Sequence, residues 1–345
     1  MRVHFMINGF GLGHVYRSLP IVDQLKNNCE VSISSFGRPY EVIIEEGYEN
    51  VYTLPEIGEI FTTKDSVNIS KSLWQNIKRF HPLAIKKITD IILATKPDVL
   101  VVDGYILGLF VGRMLRKRVI NIANCTNLWY VFPKTNEYIE KGANFLSRTA
   151  VELSNMVLIP DFSPPFTVSA HNLLYFSPTK FTHVGPTALL TPAKKKDMIF
   201  ISMGGSSVKN TVRSDRLQKW VNKIGYDAVV GDGQLCRKDA EKAISQSRAI
   251  ITHGGHTTIM SSISAGTPVI CIPTKNYTER INNAKGVERI GAGIMLDPRW
   301  ICQENVEMGI EIALSTFVKE RVALLSRIAH KSMGNKKAAS LIVSD

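Results

Sequence analysis

Two glycine-rich turns, one in each half of the chain, constrain the fold more than any other feature of the sequence. The first, Asn-Gly-Phe-Gly-Leu-Gly-His at residues 8–14, follows an apolar run, and so does the second, Thr-His-Gly-Gly-His-Thr-Thr at residues 252–258. Each leads into helical apolar spacing and so predicts a strand, a tight turn and a helix start. Such a turn directs backbone N–H groups and a helix dipole at one point, which favours anions. The pair predicts two facing α/β domains with a phosphorylated ligand in the cleft.

A third turn, Ser-Met-Gly-Gly-Ser-Ser at residues 202–207, follows the first predicted strand of the second half. Two such turns in one domain suit a diphosphate better than a single phosphate. The N-terminal turn is not a dinucleotide fingerprint, since the third glycine would fall on His14, and no Walker-type Lys-Ser/Thr pair follows it. The alternative is that the glycines only close tight connections between strands and helices.

Apolar runs and helical spacing alternate along the chain, which is typical of parallel sheets with helices on both faces. Predicted strands cover residues 3–7, 31–34, 99–102, 119–122 and 156–159 in the first half, and 198–202, 228–230, 249–251, 269–272 and 294–296 in the second. Helical spacing is clearest over residues 14–26, 74–94 and 137–153. The predicted fold class is therefore α/β, with two Rossmann-like domains.

Proline, glycine and a run of three lysines mark a linker between the two halves. We predict an N-terminal, acceptor-binding domain over residues 1–185, a linker over 186–196 and a C-terminal domain over 197–315. Residues 316–345 predict helices that pack back across the domain boundary.

The composition of the chain favours a large, ordered, cytoplasmic enzyme. It has 345 residues, 44% of them hydrophobic, which is enough for two buried cores. The five cysteines are scattered without a CxxC pair and no histidine cluster has metal-ligand spacing, so we expect reduced thiols and no metal site. The N-terminus lacks signal-peptide order, and the longest apolar stretch, residues 105–115, is too short to cross a bilayer.

The net charge of +12 is unevenly distributed. Lys and Arg outnumber Asp and Glu by 23 to 14 in residues 191–345, but only by 19 to 16 in residues 1–190. Within the first half, residues 64–148 form a basic band with 14 Lys and Arg against 6 Asp and Glu. This band also carries many aromatic residues. Such a band could bind a lipid headgroup, an anionic membrane or nucleic acid. The alternative is a solvated basic face over ordinary core aromatics.

The joint arrangement resembles the two-domain glycosyltransferases of the GT-B fold, including the MurG-like and UDP-glucuronosyltransferase-like enzymes. The loop Gly11-Leu12-Gly13-His14 with Arg17 is similar to the glycine loop of this group, and to that of the UDP-sugar hydrolases of nonulosonate biosynthesis. Residues 96–103, a strand ending in Asp103, and residues 184–186 also match the group. The strongest stretch runs from residue 253 to 284, where the family binds its nucleotide sugar.

The resemblance implies specific roles. His14 would be the catalytic base and Asp103 would hold its imidazole in one tautomer, with Gly11, Gly13 and Arg17 in the acceptor-side loop. Backbone amides, hydroxyls and a helix dipole would stabilise the leaving diphosphate, so no metal and no other cofactor is expected. The donor-binding candidates are Gly204, Gly205, Ser206, His253, Gly254, Gly255, Thr257, Thr258, Ser261, Glu279 and Arg280.

Two departures from the family pattern concern the donor. Ser261 stands where the family usually has a glutamate that binds the ribose hydroxyls, and a serine cannot make that bidentate pair. Glu279 and Arg280 replace an acidic–glutamine pair that often contacts the sugar. A backbone contact within residues 233–237 could still read a uracil.

These observations predict a metal-independent, inverting glycosyltransferase that transfers a sugar from a UDP-linked donor. The expected acceptor is a lipid or lipid phosphate, met by a cytoplasmic protein at the inner face of the membrane. Three alternatives stay open: a nucleotide-sugar hydrolase on the same fold, a basic nucleic-acid-binding protein without a recognisable motif, and a non-catalytic donor-binding subunit.

Overall fold

The computed structural model describes residues 1–56, 82–126, 142, 145, 148–149, 151–175, 177–204, 213–232, 235–275 and 277–344. Within these residues the chain forms two parallel sheets, each with helices packed on it. The central strands of both sheets have residues that are almost all buried, which is the pattern expected of parallel strands covered on both faces.

The first sheet contains seven parallel strands in the order β3-β2-β1-β4-β5-β6-β7. Their bounds are β1 Arg2–Ile7, β2 Glu30–Ser35, β3 Val51–Thr53, β4 Val99–Asp103, β5 Arg118–Ile122, β6 Met156–Ile159 and β7 Phe181–His183. The register pairs Ile7 of β1 with Asp103 of β4. The loops that follow these two strands therefore leave the sheet side by side.

The second sheet contains five parallel strands in the order β12-β11-β10-β8-β9. Their bounds are β8 Met198–Ser202, β9 Asp227–Val230, β10 Ala249–Thr252, β11 Val269–Cys271 and β12 Gly293–Met295. Here Thr252 of β10 pairs with Ser202 of β8, so the second and third glycine-rich turns begin at adjacent strand ends.

The helices fall between the strands, as the alternating pattern predicts. Their bounds are α1 Gly13–Leu25, α2 Gly37–Glu45, α3 Pro82–Thr95, α4 Ile106–Met114, α5 Ser214–Ile224, α6 Arg237–Gln246, α7 His256–Ser264, α8 Thr278–Arg289, α9 Gln303–Ala313, α10 Thr316–Ser332 and α11 Gly334–Val343. In α1, Val15, Leu19 and Val22 recur at helical spacing and are fully buried under the first sheet. None of the described helices is long and apolar enough to cross a membrane.

The structure confirms the ten predicted strands, each within one residue at either end, and the helix predicted over 14–26. Strands β3 and β7 were not predicted, because their sequences, Val-Tyr-Thr and Phe-Thr-His, contain no apolar run of three residues. The predicted helix over 74–94 is helical from Pro82, and the part before it lies outside the described residues. Of the helix predicted over 137–153, the described residues are helical.

The two halves of the chain exchange segments. Phe162 and Val168, from the connection between β6 and β7, pack in the core of the second domain. Ala338 and Ile342 of α11 pack in the core of the first domain, and α11 lies against α1. The connection after β6 thus contributes to the second core although its sequence position lies within residues 1–185. Each domain is completed by residues from the other half of the chain.

Candidate active site

The glycine-rich turns after β1 and β10 meet. The hydroxyl of Thr257 donates to the backbone carbonyl of Gly13 at 2.9 Å, so the first turns of α7 and α1 are joined directly. Neither helix has an acidic residue in its first turn, and no described side chain caps its N-terminus. Two helix N-termini with partial positive charge lie together, which favours an anion between them.

His14, the second residue of α1, pairs with Asp103 at the end of β4. Its Nδ1 lies 2.6 Å from Oδ1 of Asp103. The carboxylate is fully buried, whereas the imidazole is 25% exposed. Nη2 of Arg17 also lies 3.1 Å from Nδ1, but it donates to Asp103. An ionised carboxylate only accepts, so a neutral ring carries its proton on Nδ1 and its lone pair on Nε2. The pair thus holds the imidazole in the tautomer that a general base needs.

Asp103 has two further partners on α1. Arg17 donates to it from both Nε, at 2.8 Å to Oδ2, and Nη2, and Ser18 donates to Oδ2 at 2.7 Å. Burial by itself raises the pKa of Asp103, but the charge of Arg17 and the bond from His14 outweigh it and hold the pKa below its usual 3.8. Burial likewise lowers the pKa of Arg17, and Asp103 more than restores it. Both groups are therefore ionised.

Gly104 follows Asp103 and makes room for the ring of His14. Its φ is +69°, and a Cβ built there would lie 2.4 Å from Cε1 of His14. Only glycine fits this conformation next to the ring. The role of Gly104 was not predicted, and the sole sequence signal for it is a glycine placed immediately after the strand-ending aspartate.

The network continues into the second domain through Asn124, which follows β5 and is 4% exposed. Its Oδ1 accepts from Nη1 of Arg17 at 2.5 Å, and its Nδ2 donates to Oε1 of Glu279, at the start of α8, at 2.8 Å. The predicted sugar-contacting Glu279 is thus bonded to the same group of residues as the predicted base.

Buried side chains support the turn after β10 through hydrogen bonds. Nδ1 of His253 lies 3.2 Å from the carbonyl of Ser202, so it donates there and leaves Nε2 without a proton while the ring is neutral. Burial, and then the charge of Arg280, lowers the pKa of His253 well below its usual value, which keeps the ring neutral. Asn283, fully buried, donates to the carbonyl of Gly254 at 3.0 Å.

Gly254 has φ +89°, and a Cβ there would lie 2.7 Å from the carbonyl oxygen of Arg280. Glycine is therefore required where this turn passes α8. Gly255, the cap of α7, and Thr258, partly exposed, lie at the same helix start. Arg280 donates to the hydroxyl of Thr274 at 2.6 Å and lies over the ring of Tyr277.

The third turn begins at Met203 and Gly204, and its other predicted residues, Gly205 and Ser206, lie outside the described residues. The backbone N–H of Met203 donates to Oδ1 of Asp232 at 2.7 Å. Asp232 follows β9 and orients the start of this turn, a role that sequence reasoning missed.

Ser261 is not brought to the junction of the turns. Its side chain is buried, and its hydroxyl donates to the carbonyl of Ala188 at 3.2 Å, so its single proton is used within the protein. The hydroxyl proton of Thr257 is likewise used by Gly13. Among residues 233–237, Arg237 pairs with Glu46 and Glu241. In the part of the chain that the structure describes, no group of three His, Cys, Asp or Glu side chains could hold a metal ion.

The fold and the site together show two parallel α/β sheets, with a histidine–carboxylate pair at the end of the first and glycine-rich turns at the end of the second. Family models match both parts: residues 1–170 match Glycosyl transferase family 1, and residues 194–341 match the Glycosyltransferase family 28 C-terminal domain. A Methanosarcina mazei relative, described as an uncharacterized glycosyltransferase, is 26% identical over 99% of this chain and 98% of its own.

A Lactobacillus johnsonii relative is 22% identical over 100% of this chain and 98% of its own. Its name is UDP-N-acetylglucosamine--N-acetylmuramyl-(pentapeptide) pyrophosphoryl-undecaprenol N-acetylglucosamine transferase. Among solved structures, CalG4, the calicheamicin glycosyltransferase, has a TM-score of 0.69 at 18% identity, covering 99% of this chain and 97% of its own. LpCGTa in complex with UDP has a TM-score of 0.70 at 12% identity, covering 100% and 99%.

The chain belongs to the GT-B glycosyltransferases. It is an enzyme that takes its sugar from a nucleotide-sugar donor.

Proposed function

We propose that this protein is a metal-independent, inverting glycosyltransferase that uses a UDP-sugar. The observation that carries the proposal is the contact of His14 Nδ1 with Asp103, which leaves Nε2 of the neutral ring as a proton acceptor. The neighbouring Gly13 is joined to the first turn of α7 through Thr257. In the proposed reaction Nε2 takes the proton of an acceptor hydroxyl while its oxygen attacks the anomeric carbon. The bond from that carbon to the diphosphate oxygen breaks, and UDP leaves.

The leaving diphosphate is stabilised, in this proposal, by backbone N–H groups rather than by a metal ion. The turn at residues 253–255 and the start of α7 supply these donors, supported by Asn283 below the turn. His253 is neutral, so it accepts from a sugar hydroxyl at Nε2 or donates to phosphate only after taking up a proton.

The proposed acceptor is a lipid or lipid phosphate. In the described part of the basic band, Lys86, Lys87 and Arg113 lie on α3 and α4, close to the exposed apolar side chains of Leu83 and Met114. Basic and exposed apolar side chains on packed neighbouring helices suit the surface of an anionic membrane. The undecaprenol in the name of the Lactobacillus johnsonii relative points to the same class of acceptor. Much of the band, including residues 64–81, lies outside the described residues.

The test is a panel of radiolabelled UDP-, GDP- and dTDP-sugars incubated with the protein and with polyprenyl phosphate in vesicles of anionic lipid. We expect label to enter the lipid fraction from a UDP-sugar, and UDP to raise the melting temperature more than the other nucleotides. Release of free sugar at the same rate without acceptor would instead identify a hydrolase. No turnover and no stabilisation by any nucleotide would refute the proposal.

A further inference from the structure

The amide of Asn124 occupies a position that none of the roles above explains. It is buried between two ionised side chains of opposite sign, Arg17 of the first domain and Glu279 of the second. A guanidinium only donates and a carboxylate only accepts, so the orientation of the amide is set by chemistry: Oδ1 faces Arg17 and Nδ2 faces Glu279. An amide is a neutral side chain that satisfies both partners at once.

The guanidinium that Asn124 contacts is the one that holds the carboxylate of Asp103. Arg17 uses Nη1 for Asn124, and uses Nε and Nη2 for Asp103. Asp103 in turn fixes Nδ1 of His14 at 2.6 Å. A continuous series of charge-assisted hydrogen bonds therefore runs from Glu279, at the start of α8, to the imidazole of the base.

We propose that Asn124 is a positioning residue that couples the contact between the two domains to the orientation of the base. The proposal rests on the proposed function, because it assigns the base role to His14. When Glu279 engages Nδ2, Oδ1 is held against Arg17, and Arg17 keeps both oxygens of Asp103 in place. When the domains separate, the amide loses its second partner, and the alignment of Asp103 with His14 is no longer fixed from that side.

Asn124→Ala removes this connection without altering His14, Asp103 or the backbone turns that take the donor. We expect kcat to fall about tenfold or more, the effect of losing one hydrogen bond to a charged group. The KM for the UDP-sugar changes less than about threefold, because donor affinity depends on other groups. Circular dichroism and UDP-induced thermal stabilisation establish that the variant folds and binds.

The matched control is Glu46→Gln, which breaks a different charged contact between the domains, the pair of Glu46 and Arg237 at 3.8 Å. If Asn124 only joined the domains, both variants would show the same kinetics. We expect Glu46→Gln to leave kcat within about twofold of wild type. Equal loss of kcat in the two variants, or an unchanged kcat in Asn124→Ala, would overturn the proposal.

A polarity exchange gives an independent test. Asn124→Asp keeps an acceptor for Arg17 but places a carboxylate against Glu279, so kcat falls at least as far as in Asn124→Ala. Adding Glu279→Gln supplies an amide donor toward the new carboxylate and rebuilds the bond with reversed polarity. We expect the kcat of the double variant to be at least about threefold higher than that of Asn124→Asp. An equal kcat in the two would contradict the proposed connection.

A spectroscopic readout separates failure of this inference from failure of the proposed function. In UDP-saturated wild-type protein, ¹⁵N spectra of the His14 ring should show a proton on Nδ1 alone. In Asn124→Ala we expect both tautomers. Identical spectra would refute the positioning role even if no sugar acceptor turns over, whereas absence of wild-type turnover alone would refute only the enzymatic assignment.

Discussion

The two halves of the candidate site are built from different chemical groups. The proposed base side, at the ends of β1 and β4, consists of the buried charged side chains of Asp103 and Arg17, which neutralise each other, with the partly exposed His14 beside them. The proposed donor side, at the ends of β8 and β10, consists mainly of backbone turns supported by neutral buried groups such as His253 and Asn283.

This difference suits the two tasks that we propose for these regions. A base must hold one proton-accepting atom in one tautomer, which needs a side chain fixed by a charged partner. An anion site must present several N–H groups and little competing negative charge, which a helix start provides without ionisable residues. We therefore expect changes on the base side to lower kcat, and changes on the donor side to weaken donor binding.

The largest expected effect is that of His14→Ala. Removing the proton acceptor should lower kcat about 10²- to 10⁴-fold, the usual contribution of general base catalysis. The dissociation constant for UDP, measured by calorimetry, should stay within about twofold, because the donor turn is untouched. Full activity in His14→Ala would show that another group is the base.

Equivalent changes at two glycines sharpen the contrast. Gly104→Ala places a methyl group 2.4 Å from the ring of His14, and Gly254→Ala places one 2.7 Å from the carbonyl of Arg280. We expect the first to lower kcat about tenfold or more, and the second to raise the KM for the donor with a smaller change in kcat. Each costs about 1–3 kcal/mol of stability because φ is positive.

Gly47→Ala is the control for backbone strain, since Gly47 has φ +80° and nothing within 4 Å of the added methyl group. It should lose a similar amount of stability without a change in either kinetic constant. Identical kinetic profiles for Gly104→Ala and Gly254→Ala would break the proposed division of labour.

The neutral ring of His253 predicts a pH effect on stability. Its pKa in the folded protein lies well below its usual value of 6.5, so below pH 6.5 the unfolded chain binds more protons and stability falls as pH falls. Between pH 6.5 and 5, the free energy of unfolding of His253→Gln should fall by about 1 kcal/mol less per pH unit than that of wild type. Urea unfolding at several pH values measures it.

His171→Gln, at an exposed position, is the matched histidine control and should leave the pH dependence unchanged. If both variants follow the same pH curve as wild type, the ring of His253 is not the buried neutral group described above.

The smallest expected effect is that of a chelator. If the helix start and backbone amides carry the charge of the leaving diphosphate, EDTA leaves the rate of sugar transfer unchanged within error, and added Mg²⁺ does not increase it. The measurement is the initial rate in chelator-treated protein, with and without the added ion. A strict requirement for Mg²⁺ or Mn²⁺ would show that the donor side needs more than its own amides.

The sequence predicted the strands and turns well because their signals are local. Apolar runs of three to five residues mark most of the predicted strands, and a glycine turn directly after a run locates the carboxyl end of a strand. Edge strands β3 and β7 were not predicted because Val-Tyr-Thr and Phe-Thr-His contain no apolar run of three residues. The roles of Gly104, Asn124 and Asp232 were not predicted, because each depends on contacts with residues that are distant in sequence.

The alternating pattern of the chain thus determined, by itself, two parallel α/β domains with glycine-rich turns at the carboxyl ends of their strands. Only the tertiary structure decided which distant side chains are in contact. Asp103 pairs with His14, 89 residues away in sequence, and Asn124 with Glu279, 155 residues away. The hydroxyl of Ser261 donates to the carbonyl of Ala188. The physical reason is range: backbone periodicity is set by neighbouring residues, whereas side-chain hydrogen bonds depend on strand order, register and the contact between domains.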